Sequence, residues 1–324
     1  MKKLTIFSDL TADEAALALL KSGVAPHQLV FPAKPAPSVL SKSDPDPALL
    51  GADVAFGQPD TAGVLQAERL RWLHISSAGY TRYDTPEFRR AAAGRELLVT
   101  NSSMVYAQPC AEHVLAFMLA QARRLPAGLQ AGAAGDTASW LQLRSTSMLL
   151  RHQNVLLLGY GSIARHLAEL LRPFKTQIVA FRRQPRADEG IPMVTAEQLP
   201  QALAVADHVV NILPANESTL GFMSAPRFAA MKPGSVFYNV GRGATVDQDA
   251  LAAALRSGRL AAAWLDVTEP EPLPPGHPLL GAPNCFITPH TAGGHHHESE
   301  MLVRHFLENL RRFLGGAPLR DRVM

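Results

Sequence analysis

At 324 residues, with 47% apolar and 18% charged content, the chain is too long for one small core; two domains, or one domain around a large sheet, are expected. The net charge of +3 comes from arginines scattered along the chain, with no basic tail or dense block, which argues against a nucleic-acid partner. No segment is long and uncharged enough to span a bilayer, no targeting segment is legible, and Cys110 and Cys285 form no C-x-x-C pair, so the expectation is a soluble cytoplasmic protein with no membrane partner and no metal.

The N-terminal part alternates short apolar runs with helical stretches. Leu4 to Phe7 reads as a strand, and Thr11-Ala-Asp-Glu14 as a capping box opening a helix that closes at Gly23. Further strands are expected at 28–31, 52–56, 72–76 and 97–100, giving a small α/β unit with a mainly parallel sheet. The Pro- and Ser-rich stretch 32–47 reads as a surface loop around one short strand. From Ala111, residues Val114, Leu115, Met118 and Leu119 share one face of a long helix. Residues 126–147, with Gly128, Gly132 and Gly135, read as irregular: a solvated loop or, preferred, an arm packing on a second copy in a homodimer.

The chain is organised around Asn154-Val-Leu-Leu-Leu-Gly-Tyr-Gly-Ser-Ile-Ala164, where an apolar run of strand length ends at a glycine turn and resumes with helical spacing, closed by Pro173. The first amides of a helix lack intrahelical partners and carry the positive end of its dipole, so a diphosphate can accept from them. A bare G-x-G-x-x-A match also fits an ordinary loop. The flanking strand and helix favour a dinucleotide, contacted by Gly159, Gly161, Ser162, Ile163 and Ala164.

Beyond this turn the βα alternation continues. Strands are expected at 176–181, 208–213, 236–239, 260–266 and 285–288. Thr195-Ala-Glu-Gln198 forms a second capping box, Ser224 opens a helix stopped by Lys232-Pro-Gly234, and Asp247 caps one ending at Gly258. Leu302, Phe306, Leu310 and Phe313 stripe a C-terminal helix that ends at Gly315-Gly316 and is expected to pack on the N-terminal unit. The expected fold class is α/β in two lobes separated by a cleft. One is a Rossmann-type doubly wound nucleotide-binding domain over 103–290; the other is a smaller flavodoxin-like α/β substrate domain made of 1–102 and 291–324.

Ligands of open α/β sheets sit beyond the carboxyl ends of the strands. There the chain places Gly159 to Ile163, Arg182-Arg183, Leu213-Pro214, Val240-Gly-Arg-Gly243, Asp266 to Glu271 and Thr288-Pro-His290, so that an arginine, a carboxylate and a histidine converge on one edge. The segments Met231-Lys-Pro-Gly234, Asn239-Val-Gly-Arg-Gly243, Leu265-Asp-Val-Thr-Glu-Pro-Glu-Pro272 and Thr288-Pro-His-Thr-Ala-Gly-Gly294 resemble the signature stretches of the D-isomer-specific 2-hydroxyacid dehydrogenases, in order and correctly spaced across 107–294. Ser76-Ser-Ala-Gly-Tyr80 is similar to that family's substrate loop.

The resemblance implies Arg242 as the substrate arginine, whose planar fork suits the carbonyl and carboxylate oxygens of a 2-oxo acid. It implies His290 as the acid/base, because hydride arriving at a carbonyl carbon leaves an alkoxide that must be protonated. Glu271 is its implied partner, chosen over Glu269 because it precedes Pro272 as the family's glutamate does; it would hold the imidazole's tautomer and stabilise its charged form. Thr268 departs from the family pattern, which often has an aromatic residue there. Asp266 is implied to meet the nicotinamide carboxamide, with a strand-end cap as the alternative. The remaining cofactor contacts are Leu213, Pro214, Val240, Gly241 and Gly293, and the backbone amides of Ala78 and Gly79 are implied to receive the substrate carboxylate. Met104 and Tyr106 line the substrate pocket or serve packing.

NAD enzymes of this fold place an acid after the second strand. Here Phe181 is followed by Arg182 and Arg183, so a 2′-phosphate and NADP(H) are preferred, with NAD(H) possible if both arginines merely face solvent. His295-His-His297 resembles a metal tract, but no carboxylate or cysteine cluster joins it. The expected activity is therefore an NAD(P)-dependent oxidoreductase, glyoxylate/hydroxypyruvate reductase-like, acting on the CH–OH group of 2-hydroxy acids. The rival from another class is a non-catalytic nucleotide-sensing binding protein on the same fold. A formate-type dehydrogenase is less well matched, since similar enzymes pair their histidine with glutamine where this chain has Glu271.

Overall fold

Short apolar runs flanked by caps and turns build two all-parallel sheets. The computed structural model describes residues 3–34, 44–132, 136–184 and 189–324 and divides into two units, Met1–Tyr106 with Gly294–Met324, and Ala107–Gly293. The boundaries lie at 106/107 and 293/294 where the sequence reading put them at 102/103 and 290/291.

The first unit runs β1 (Thr5–Ser8), α1 (Glu14–Gly23), β2 (Gln28–Val30), β3 (Val54–Gly57), α2 (Thr61–Gln66), β4 (Trp72–Ile75), α3 (Pro86–Gly94) and β5 (Leu98–Thr100). Its strand order is β2-β1-β3-β4-β5. Asp13, not Thr11, caps α1, its carboxylate accepting from the Ala16 amide at 2.8 Å. The short strand expected within 32–47 falls largely outside the described residues. α4 (Ser103–Ala122) starts eight residues before the expected Ala111 and carries Pro109 inside it, which hid its first turns.

In the second unit, the expected irregular stretch 126–147 is instead helical where described, as α5 (Leu125–Ala131) and α6 (Thr137–Thr146). Pro126 at the start of α5 and the Asp136 cap on the Ser139 amide, 2.7 Å, outweigh the glycines that suggested a loop. Then follow β6 (Asn154–Leu158), α7 (Ser162–Leu171), β7 (Gln177–Phe181), β8 (Met193–Val194), α8 (Leu199–Val205), β9 (His208–Asn211), α9 (Ala225–Ala230), β10 (Ser235–Asn239), α10 (Gln248–Arg256), β11 (Leu260–Leu265) and β12 (Cys285–Ile287). The 195–198 box does not open α8: the Thr195 hydroxyl donates to Glu197, and only the Thr195 amide reaches Gln198. Asp247 does cap α10, accepting from the Ala250 amide at 2.9 Å.

The second sheet has the order β12-β11-β10-β9-β6-β7-β8. The chain moves outward from β6 through β7 to β8, then crosses to β9 and proceeds the other way. The reversal lies between β6 and β9, and such switch points leave a crevice at the carboxyl edge where loops diverge. β6, β9, β10 and β11 are buried on both faces, as parallel strands covered by helices must be.

The chain returns to the first unit in α11 (Glu298–Leu314), whose apolar stripe buries Leu302, Phe306 and Leu310. The Phe306 ring stacks on Phe56 at 4.3 Å and on Trp72 at 5.3 Å, and a side chain at Gly23 of α1 would collide with Leu307. The apolar face of α11 is thus part of this unit's core.

Burial also gives the second unit an acid-sensitive element. His208 is 1% exposed with Nδ1 3.0 Å from the Tyr238 phenol oxygen, and burial pushes its pKa down to about 4, against an opposing pull from Asp207. An unfolded histidine binds a proton below about pH 6.5, while folded His208 does so only near pH 4. Stability from neutral His208 is therefore complete above pH 6.5 and is lost as pH falls towards 4. Urea unfolding should show a loss of about 2 kcal/mol from this residue between roughly pH 7 and pH 5, and H208Q should flatten that slope. An unchanged slope in H208Q would refute this assignment.

Candidate active site

The glycine turn after β6 has the backbone that its sequence demands. Gly159 has φ +95°, and a Cβ there would lie 3.2 Å from the Ile212 carbonyl oxygen at the end of β9. Gly161 is the N-cap of α7, and nothing lies within 4 Å of where its Cβ would project. Ser162 and Ile163 form the first turn of α7, and Ala164 is fully buried where the helix packs on the sheet. Having no side chain, Gly161 leaves the positive end of a ten-residue helix without a side-chain cap beside open space, which fits a dinucleotide diphosphate. Leu213 and Val240 are buried beside this edge, while Pro214 is exposed. Gly241 runs against the Leu213 backbone, a contact a side chain would block at 2.7 Å.

Arg242 follows β10. Its carbonyl accepts from the Thr245 hydroxyl at 2.6 Å and from Asn239 Nδ2 at 3.2 Å, and its guanidinium donates to the Gly241 carbonyl at 2.6 Å. Burial lowers its pKa while the Glu271 charge raises it, so the cation is partly desolvated and within electrostatic reach of that carboxylate. Gly243 explains the proximity. A Cβ there would come within 2.0 Å of the Thr268 carbonyl carbon, so only glycine lets the loop after β10 lie against the loop after β11.

Glu271 links the constellation. Oε1 accepts from the Thr268 amide at 2.8 Å, and Oε2 lies 2.8 Å from His290 Nδ1. Both side chains remain partly open, 37% and 40% exposed. His290 follows β12 with φ +53°, its amide donating to the Asp266 carbonyl at 3.0 Å. The structure thus brings Arg242, Glu271 and His290 together through Glu271, while Glu269 has its backbone amide on Gln248 Oε1.

Asp266 is 2% exposed and caps the turn that carries His290. Oδ1 accepts from the Thr288 hydroxyl, 2.6 Å, and the Thr291 amide, 2.8 Å; Oδ2 accepts from the Ala292 amide, 2.9 Å. This is the strand-end alternative, expressed as three bonds that orient the histidine's loop. Gly293 follows, half-buried, at the end of the second unit. His113 of α4, not singled out in the sequence, has Nε2 3.3 Å from the Thr288 hydroxyl, and its pKa is lowered by burial against an opposing pull from Asp266. No periodicity or motif marks it.

At the end of β7, Arg182 and Arg183 differ. Arg182 pairs with Glu189, as does Arg165 of α7, whereas Arg183 donates to the Ser218 hydroxyl at 3.1 Å. Glu189 is the second residue that sequence reasoning missed. In the first unit, Asn101 Nδ2 donates to the Ala78 carbonyl at 2.7 Å and the Ser77 hydroxyl to the Gly79 carbonyl at 2.6 Å, fixing that loop by its carbonyls. Tyr106 is buried with its phenol oxygen 2.9 Å from Glu298, and Met104 is 47% exposed. Among the described residues no group of three or more His, Cys, Asp or Glu gathers as a metal site, and no helix is long and apolar enough to cross a membrane.

Residues 115–292 match the family model described as "D-isomer specific 2-hydroxyacid dehydrogenase, NAD binding domain". The chain is 36% identical to human glyoxylate reductase/hydroxypyruvate reductase over 263 residues, covering 80% of this chain and 77% of the human protein. Among solved structures it resembles a D-isomer specific 2-hydroxyacid dehydrogenase from Xanthobacter autotrophicus in complex with NADPH and MES, with TM-score 0.78, 27% identity and coverage of 100% and 98%. It also resembles the NADPH-dependent glyoxylate/hydroxypyruvate reductase of Sinorhizobium meliloti in complex with NADP and malonate, with TM-score 0.75, 26% identity and coverage of 99% and 97%. The chain belongs to the D-isomer specific 2-hydroxyacid dehydrogenase family.

Proposed function

We propose that the protein reduces 2-oxo acids of the glyoxylate or hydroxypyruvate kind, using NADPH in preference to NADH. The observation that carries this reading is the Arg242, Glu271 and His290 constellation at the carboxyl edge of the second sheet. The nicotinamide, when bound, supplies or accepts the hydride. Gly159, Gly161, Ser162 and Ile163 would hold its diphosphate, and Leu213, Pro214, Val240, Gly241 and Gly293 would line its path.

Arg242 binds the carboxylate and carbonyl oxygens of the acid together, and its desolvated fork orients the carbonyl carbon. Glu271 holds His290 by Nδ1, which leaves Nε2 as the nitrogen for substrate. In reduction Nε2 donates its proton to the oxygen that becomes the hydroxyl; in oxidation it removes that proton. Asp266 acts here through the loop it caps, and a contact with the carboxamide belongs to the same reading. The amides of Ala78 and Gly79 serve as carboxylate donors, their carbonyls being already engaged. The absence of a carboxylate directly after Phe181 and the presence of Arg182-Arg183 support NADPH.

A cytoplasmic homodimer completes the proposal. Cys110 and Cys285 are free thiols, and Leu129, Trp140, Leu141 and Leu149 are exposed on and beside α5 and α6. Sedimentation should return twice the chain mass. Oxidation of NADPH and NADH with a panel of 2-oxo acids tests the activity. Cofactor binding without turnover of any acid would favour the non-catalytic nucleotide-sensing protein instead.

A further inference from the structure

We propose that Glu189 sets the strength of 2′-phosphate recognition, holding Arg182 in an internal ion pair so that, of the two arginines that follow Phe181, it is Arg183 that is presented to the phosphate. This rests on the reading of Arg182-Arg183 as the 2′-phosphate end of the cofactor site. Two adjacent arginines suggest two cationic forks for one dianion, but the structure commits one of them elsewhere. Glu189 Oε1 takes the Arg182 guanidinium and Oε2 takes Arg165, and the Glu189 side chain is 1% exposed. Both oxygens are spent on cations, so this carboxylate is not offered to ribose hydroxyls as the acid of an NAD enzyme would be.

Arg165 is held in turn by the glycine turn, its guanidinium lying 4.8 Å from the Tyr160 ring centroid. The chain Tyr160, Arg165, Glu189, Arg182 therefore ties the helix after β6 to the segment after β7. Arg183 stands outside it. Its partner is the neutral Ser218 hydroxyl, in the turn after β9, where Asn216 Oδ1 accepts from the Ser218 amide and hydroxyl at 3.0 and 2.6 Å. Because β6 lies between β9 and β7, the Arg183 to Ser218 bond bridges the loops on either side of the glycine turn. An incoming phosphate can replace that neutral partner without breaking an ion pair, whereas taking Arg182 means leaving Glu189 buried with one cation fewer.

The test compares adenosine 2′,5′-bisphosphate with 5′-AMP by calorimetry on the full chain, so nothing depends on turnover. The wild type should prefer the bisphosphate, and R183Q should lose that preference. E189Q should raise the preference by about three- to tenfold, because one negative charge near the phosphate is removed. R182Q/E189Q, which removes the pair together, should keep the wild-type preference and covers the case in which E189Q alone does not fold. A preference that is flat in E189Q overturns the proposal by leaving Glu189 without influence on the phosphate; one that is lower in E189Q, or lost in the double variant, overturns it by making Arg182 itself a phosphate ligand. If the wild type shows no preference, the NADPH reading fails; a preference that then emerges in E189Q supports Glu189 as its suppressor, and none refutes it.

Discussion

Replacing His290 with alanine is expected to lower kcat for 2-oxo acid reduction by about a hundred- to ten-thousand-fold while leaving cofactor affinity unchanged. The reason is the developing negative charge on the substrate oxygen. With Nδ1 on Glu271, Nε2 is the donor placed to meet that charge, and alanine leaves only water. The side chain is 40% exposed and its loop is held by backbone and Asp266 bonds, so the variant should fold. E271Q separates positioning from proton transfer. It keeps an acceptor for the Thr268 amide but removes the charge beside the imidazole, so its loss in kcat should be smaller than that of H290A. Wild-type turnover in H290A would reduce His290 to a structural residue.

Arg242→Lys is the second large effect, although both residues are cations. An ammonium cannot present two parallel donors to a carboxylate and a neighbouring carbonyl, and losing one charge-assisted bond costs about 3 kcal/mol, or roughly a hundredfold in kcat/KM. Arg242 is also half-buried, and burial already disfavours its charged form, so the substitution is not neutral for solvation either. The loss should appear for every acid tested and should spare dinucleotide binding. Unchanged kcat/KM in this variant would mean that the fork never meets the substrate.

Much of this edge was readable from the chain because the loops that carry Arg242 and Glu271 follow the buried strands β10 and β11, and continuous apolar runs are the strongest local signal. Gly159 and the Asp247 cap behave as their residue types require. Less was legible where local preferences competed. Asp13 displaced Thr11 as a cap because its carboxylate sits one residue before the helix, and Pro126 and Asp136 organised helices across a glycine-rich stretch. The two-residue β8 carries too little pattern to detect. Glu189 and His113 were invisible for a different reason: their meaning comes from contacts with residues distant in sequence, Arg165 in one case and Thr288 in the other. The two arginines after β7 looked equivalent until tertiary structure gave one a buried acid and the other a hydroxyl.

Stacking of Phe306 on Phe56 and Trp72 has a consequence for biosynthesis. During translation the first hundred residues emerge well before the aromatic ring that completes their hydrophobic interior, whereas residues 107–293 have left the ribosome by then. The nucleotide-binding half can therefore mature first, while the residues that precede it await α11.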